Sequence, residues 1–236
     1  MITRRLRGRL NYVHRERGVT GGEWWNIAVA DDGTRTLTAN CEMHDDAVQR
    51  DVVYSVDSDF LPLDAFVRLA VAGVSQGSGW FRFTDGHVEA EGWTRQHGRF
   101  SQRVATAGRA QLFAPHPVQS DAWQTAAFVH PIQPGTQPSR QYFDRCFNPS
   151  PLPNGASGPM LSKTDKHIEF VANEDILVPA GRFSCGHYRI HARDYVEPLE
   201  IWVFGPDRIL ALCSWSLLNS RYELVHFEEL GGAAVA

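Results

Sequence analysis

Gly79-Trp80-Phe81-Arg82-Phe83-Thr84-Asp85-Gly86-His87-Val88-Glu89-Ala90-Glu91-Gly92-Trp93-Thr94 is the stretch that decides the fold. On both sides of Asp85-Gly86 the side chains alternate between apolar and polar, the pattern of two half-buried strands. Glycine accepts the positive φ that a tight turn between them needs. A two-residue turn sets Thr84 opposite His87, Arg82 opposite Glu89 and Trp80 opposite Glu91. Asp32-Gly33 is a second signal of the same kind.

Working outward, the same alternation predicts strands over Leu6–Val13, Glu23–Ala30, Thr34–Met43, Gln49–Val56, Ala65–Val71, Gly79–Thr84, His87–Thr94 and Arg99–Val104. A second group follows at His167–Ala172, Ile176–Val178, Cys185–Ala192, Leu199–Phe204, Ile209–Trp215 and Arg221–Leu230. Leu63, Phe66, Val67, Ala70, Val71 and Val74 also fit a helical stripe, which would replace the fifth strand. Ser120–His130 reads as one short helix, with Ser120 or Asp121 as its cap. Seven prolines between Pro131 and Pro159 mark a long connection. The expected fold is mainly β: a curved antiparallel meander forming a barrel or half-barrel. It is a single unit over 1–236, with strand groups 1–118 and 160–236 joined by helix 120–130 and the proline-rich loop 131–159.

Composition narrows the function classes. In 236 residues, 23 basic and 27 acidic groups give a net charge of −4, which offers no global field for nucleic acid. The first 17 residues hold six arginines, and Gly8, Asn11, His14 and Glu16 interrupt every short apolar stretch there, so no export signal is read, and no apolar run has the length of a membrane helix. The expected location is cytoplasmic, with no nucleic-acid or membrane partner and with self-association left open. Cys41, Cys146, Cys185 and Cys213 form no C-x-x-C pair and read as reduced thiols, three of them in strands. Cys146, in the proline-rich loop, is the one candidate for reactivity.

Gly22-Glu23-Trp24 resembles the G-x-W of lipocalin-like (calycin) barrels, which implies that Arg221 packs on that tryptophan. Val178-Pro179-Ala180-Gly181-Arg182-Phe183, followed by Glu200-Ile201-Trp202-Val203, is similar to the C-terminal part of bacterial half-barrel proteins related to the lipoprotein carriers. Both resemblances imply a curved sheet around an apolar cavity. Such architectures are similar to carriers and also to cofactor-free enzymes, among them a carotenoid hydratase and an enzyme of violacein biosynthesis, so fold alone does not choose.

Three groups of residues could carry chemistry. Trp80, Arg82, Glu89 and Glu91 share one face of the Asp85-Gly86 hairpin, as an acid/base pair or as a wetted ion pair. Cys185, His187, Arg189 and His191 share one face of a later strand. If the loop 193–198 closes symmetrically, His191 faces Glu200, Arg189 faces Trp202 and His187 faces Phe204. This makes His191 a general base oriented by Glu200, with Arg189 placed to hold an oxyanion. His116, between two prolines, and Tyr142, in the proline-rich loop, are further candidates at a barrel mouth, together with Asp144 and Arg145.

No metal is expected. His187 and His191 lie about 13 Å apart along a strand, and Glu42-Met43-His44-Asp45-Asp46 lacks a further cluster at metal spacing. No phosphate-binding loop, dinucleotide fingerprint or G-x-S-x-G occurs, so no cofactor is expected. The expectation is a cofactor-independent lyase, hydratase or isomerase acting on a small apolar or aromatic molecule. The alternative is a non-catalytic binder of a hydrophobic metabolite.

Overall fold

The computed structural model describes residues 1–130, 139–193 and 195–231 and gathers fifteen strands into one sheet. The strands are β1 (Ile2–His14), β2 (Gly18–Ala30), β3 (Arg35–Met43), β4 (Val48–Val56), β5 (Pro62–Val71), β6 (Val74–Phe83), β7 (His87–Thr94) and β8 (Gly98–Ala105). There follow β9 (Leu112–Phe113), helix α1 (Val118–Gln124), β10 (Arg140–Asn148), β11 (Ser162–Val178), β12 (Gly181–Ala192), β13 (Leu199–Phe204), β14 (Ile209–Trp215) and β15 (Ser220–Leu230). The sheet runs from β8 down to β1, then from β15 down to β9. β1 pairs with both β2 and β15, so the two strand groups are fused along one ladder.

The Asp85-Gly86 hairpin has the expected register: Trp80 opposes Glu91, Arg82 opposes Glu89, and Thr84 N–H donates to the His87 carbonyl at 3.0 Å. Gly33 uses its positive φ of 84°; Gly86 does not. The ambiguous segment is strand β5. His167–Ala172 and Ile176–Val178 merge into β11, whose pairing with β12 is interrupted between Phe170 and Ala172.

Alternate residues along β1 to β7, such as Leu10, Trp25, Ile27, Leu37, Val52, Val67, Phe81 and Val88, are buried on the concave face. Each such side chain contributes about 1.5–3 kcal/mol. An ion pair on the wet convex face contributes about 1 kcal/mol or less, so the inward apolar rows dominate the choice of strand register. The edge strands β8 and β9 do not pair with each other. Gln102 on β8 bridges toward β11 instead: its side-chain amide donates to the Leu161 carbonyl at 3.2 Å and accepts from Leu161 N–H at 2.8 Å. The sheet is curved and open, and a side chain supplies the rung that a closed barrel would draw from its backbone.

Two expectations are corrected between the strand groups. The connection contains strand β10, which carries Tyr142, Asp144, Arg145 and Cys146; Pro131, Pro134 and Pro138 lie outside the described residues. Cys146 is therefore no loop thiol: it is fully buried, and burial pushes it up to about 11. The helix starts two residues early and ends at Gln124, followed by a 3₁₀ turn over Thr125–Ala127. Neither Ser120 nor Asp121 caps it.

Its cap comes from the sheet. Glu23, on the inner face of β2 and 1% exposed, accepts from the amides of Val118 (2.8 Å) and Gln119 (2.9 Å) and from the Tyr12 hydroxyl (2.5 Å). Burial raises the Glu23 carboxyl above its ordinary value, while these donors pull it back. Gln119 then bonds the Arg208 carbonyl and Leu210 N–H, and the Trp123 indole donates to the Asp207 carbonyl at 3.1 Å. Asp207 is held between Arg4 and Arg35.

Replacing Glu23 by Ala orphans two helix amides and a buried hydroxyl, so Glu23→Ala is expected to lower stability by roughly 3 kcal/mol. Urea unfolding followed by tryptophan emission checks this. A loss below about 0.5 kcal/mol would show that the cap is dispensable.

Candidate active site

Placing α1 inside the curved sheet leaves room at one end of the barrel-like fold. An inner chamber of about 90 Å³ has Asp121, Gln124, Lys166, His116 and Asn148 among its polar walls and Ala114, Ile190, Leu199 and Trp215 among its apolar ones. It continues into a cleft of about 470 Å³, with which it shares His116, Asp121, Pro153, Leu199 and Trp215.

Each polar group has a local reason to be there. Asp121 and Gln124 are three residues apart on α1 and so share a face; the Gln124 amide donates to Asp121 at 2.6 Å. Lys166 lies on β11 between buried Thr164 and Ile168, in the inward phase of the strand, and its ammonium donates to Gln124 Oε1 at 2.7 Å. Gln124 thus couples the carboxyl to the ammonium. Burial raises Asp121 to about 7, against the pull of Lys166 and the Gln124 hydrogen bond, with Glu23 adding repulsion. Desolvation also lowers Lys166.

His116 has a φ of 84°, a strained value for a residue with a side chain. Burial and the nearby Arg50 charge push its imidazole well below the ordinary value, and the ring bonds the Ser150 backbone. Its Nε2 is buried without a partner among the described residues, as is Asn148 Oδ1. Arg50, on the inner face of β4, is wholly buried behind this wall. Its Nη1 donates to the Gly155 carbonyl, while Nε and Nη2 have no partner among the described residues.

The sequence candidates are distributed differently. His116 lines the cavity. His187, Arg189 and His191 do share a face, but it is the convex one, because Tyr188 and Ile190 between them are buried in the core. The β12–β13 ladder pairs His187 with Trp202 and Arg189 with Glu200, two residues away from the expected register. His191 therefore does not meet Glu200; it lies 3.4 Å from Glu169. Glu200 contacts His187 and receives Arg189 Nε at 2.8 Å, while Glu174 contacts the other His187 nitrogen at 2.8 Å.

Trp202 stacks on His187 with ring centroids 4.1 Å apart. Phe204 stacks on Phe183 at 4.2 Å instead of facing His187. Trp80, Arg82 and Glu91 lie on the exposed outer face of the first hairpin, where Arg82 binds Glu89 at 2.6 Å and lowers its carboxyl. Tyr142 is exposed on β10, packed on His167 with its hydroxyl 3.2 Å from Asp165. Trp24 is also exposed; Arg9 covers it, and the Arg221 contact implied by the G-x-W resemblance is replaced by an Arg221–Glu223 pair.

No family model matches the chain, and no curated protein matches it. Among solved structures, the β-barrel-like protein of the domain of unknown function DUF1849 from Brucella abortus is similar at 9% identity and a TM-score of 0.59, covering 98% of each chain. A protein with a YmcC-like fold from Bacteroides fragilis aligns at 12% identity over 97% of this chain and 96% of that one, with a TM-score of 0.30. The first likeness supports the β-barrel-like fold and extends no further than the fold.

Because the Asp121 carboxyl is raised from 3.8 to about 7, folding favours its protonated form. The associated stability is present below about pH 4 and is lost as pH rises through about 7. Asp121→Asn keeps the Gln124 contact and removes the titration. It is expected to melt above the wild type at pH 8, with the gap shrinking toward pH 4; calorimetric melting across that range reads it.

Proposed function

We propose that this protein is a cofactor-independent acid/base enzyme, a lyase, hydratase or isomerase, that acts on a small apolar or aromatic molecule at the chamber. The carrying observation is Asp121: a carboxyl held near neutrality, tied through Gln124 to a buried ammonium, on the wall of a largely apolar cavity. A carboxylate in such a place is a stronger base than one in water and exchanges its proton near neutral pH.

Asp121 takes the proton from the substrate, Lys166 stabilises the oxyanion that develops, and the protonated Asp121 returns the proton to the product. The bare His116 Nε2 accepts a hydrogen bond from a substrate hydroxyl. Low dielectric strengthens each contact. The apolar walls at Leu199, Trp215, Met43 and Leu152 suit a non-catalytic binder equally well, and that second reading differs in having no use for the Asp121 proton.

The probe 5-nitrobenzisoxazole separates the two. A base removes its ring C–H proton, the N–O bond breaks, and a coloured nitrophenolate forms without any cofactor. The expected result is saturable turnover that rises with pH through about 7 and falls on the order of 100-fold in Asp121→Asn. Turnover no faster than free acetate, or unchanged in the variant, would remove Asp121 from the chemistry.

A further inference from the structure

We propose that the molecule taken by this chamber is a small apolar or aromatic acid, its carboxylate seated in the inner chamber near Lys166 and Arg50 and its body lying in the outer cleft. This rests on the reading of the chamber as the ligand site and adds the charge of the ligand to it.

The argument is a charge count inside the fold. Two cationic side chains are buried here: Lys166 (6% exposed) lines the inner chamber, and Arg50 (0% exposed) stands behind its His116 wall. Three carboxyls stand near the chamber, and none has an ion pair with either cation among the described residues: Glu197 is on its exposed rim, where it accepts from the Ser216 hydroxyl. Glu23 is engaged by two helix amides and the Tyr12 hydroxyl, and it has no ion pair with Arg50 among the described residues. Asp121 is near half protonation at neutral pH.

A buried guanidinium with no carboxylate is a costly arrangement, because desolvation is repaid only by an opposite charge and filled hydrogen bonds. Among the described residues its one hydrogen bond goes to a neutral carbonyl, that of Gly155, and two of the three guanidinium nitrogens are without partners. A methyl group built at Gly155 would stand 2.6 Å from Arg50 Nη1 and 3.2 Å from His116 Cγ. The guanidinium therefore lies directly behind the imidazole that lines the chamber, close enough for its charge to act there with little water between. Lys166 approaches from β11, and among the described residues its only hydrogen-bond acceptor is Gln124; an ammonium has three N–H groups to place.

The shape agrees with the charge. The inner chamber, about 90 Å³, has Lys166, Gln124 and Asn148 on its wall and is large enough for a carboxylate head. Leu199 and Trp215 stand where it meets the wider cleft, so an apolar body can follow the head outward along Met43, Leu152 and Leu218, with Arg17, Asp45 and Asp46 also on the cleft's wall. A neutral ligand would leave the buried cations as they are.

Isothermal titration with benzoate and with its uncharged isostere benzamide tests this on the unmodified protein. Benzoate is expected to bind at least about ten-fold more tightly, a factor that one charge-assisted hydrogen bond supplies. Lys166→Met, which keeps the chain length, is expected to lose that preference while still binding benzamide, and Arg50→Met is expected to weaken benzoate alone. Equal binding of the two probes, or no benzoate binding, would overturn the assignment without involving any variant. Failure of the benzisoxazole reaction with benzoate preference intact would remove the proton transfer and leave the acid-binding chamber; turnover without benzoate preference would do the reverse.

Discussion

The carboxylate of Glu23 is the contact on which the arrangement depends. A curved sheet this wide encloses more volume than its own side chains fill, and the chain places a helix in the space. A helix start inside a protein carries amides that no intrahelical carbonyl can satisfy. Glu23 receives two of them while also holding the Tyr12 hydroxyl, so one buried charge fixes the helix, the β1–β2 ladder and the depth of the plug together. With α1 fixed, Asp121 and Gln124 can only face the chamber.

The same interior shows how buried ionisable groups differ in purpose. Asp207 is matched by two arginines and Glu23 by several donors, and such saturated groups act as fasteners. Among the described residues, Asp121, Lys166, His116 and Arg50 are under-satisfied by comparison. Leaving them so makes the chamber wall less stable than an apolar one would be, which is the usual mark of a site kept for chemistry or binding.

The strand pattern was legible because burial on one face forces a period of two, and each predicted strand has a counterpart in the sheet. The Asp85-Gly86 hairpin was legible to the residue because its turn leaves no room for another register. The β12–β13 pairing was not. Sliding one strand by two residues keeps every side chain on its own face, so Tyr188, Ile190, Ile201 and Val203 stay buried in both registers and the apolar pattern cannot separate them. The choice falls to the longer turn around 193–198, whose sequence carries no comparable signal. Of the site, only His116 was anticipated. A usable signal for the others was present: Glu23, Arg50 and Lys166 each stand at the inward phase of an apolar alternation, as in Val48-Gln49-Arg50-Asp51-Val52-Val53-Tyr54. A charge at that phase must be satisfied inside the fold or serve a ligand.

The two polar clusters also show why pairing alone is a poor guide to chemistry. On the convex face, His187, Glu174, Glu200, Arg189, Glu169 and His191 form a continuous chain of contacts, richer in hydrogen bonds than the chamber. Its groups bond one another at the water boundary, where their field is screened and a substrate would gain little by displacing them. Inside, fewer contacts act through a medium of lower dielectric, so one raised carboxyl and two poorly matched cations generate a larger difference between empty and filled states. The capacity for function follows the unsatisfied charge and not the number of bonds. By that criterion the concave end of the sheet, closed by α1 and reached past Trp215, is where a ligand has the most to change.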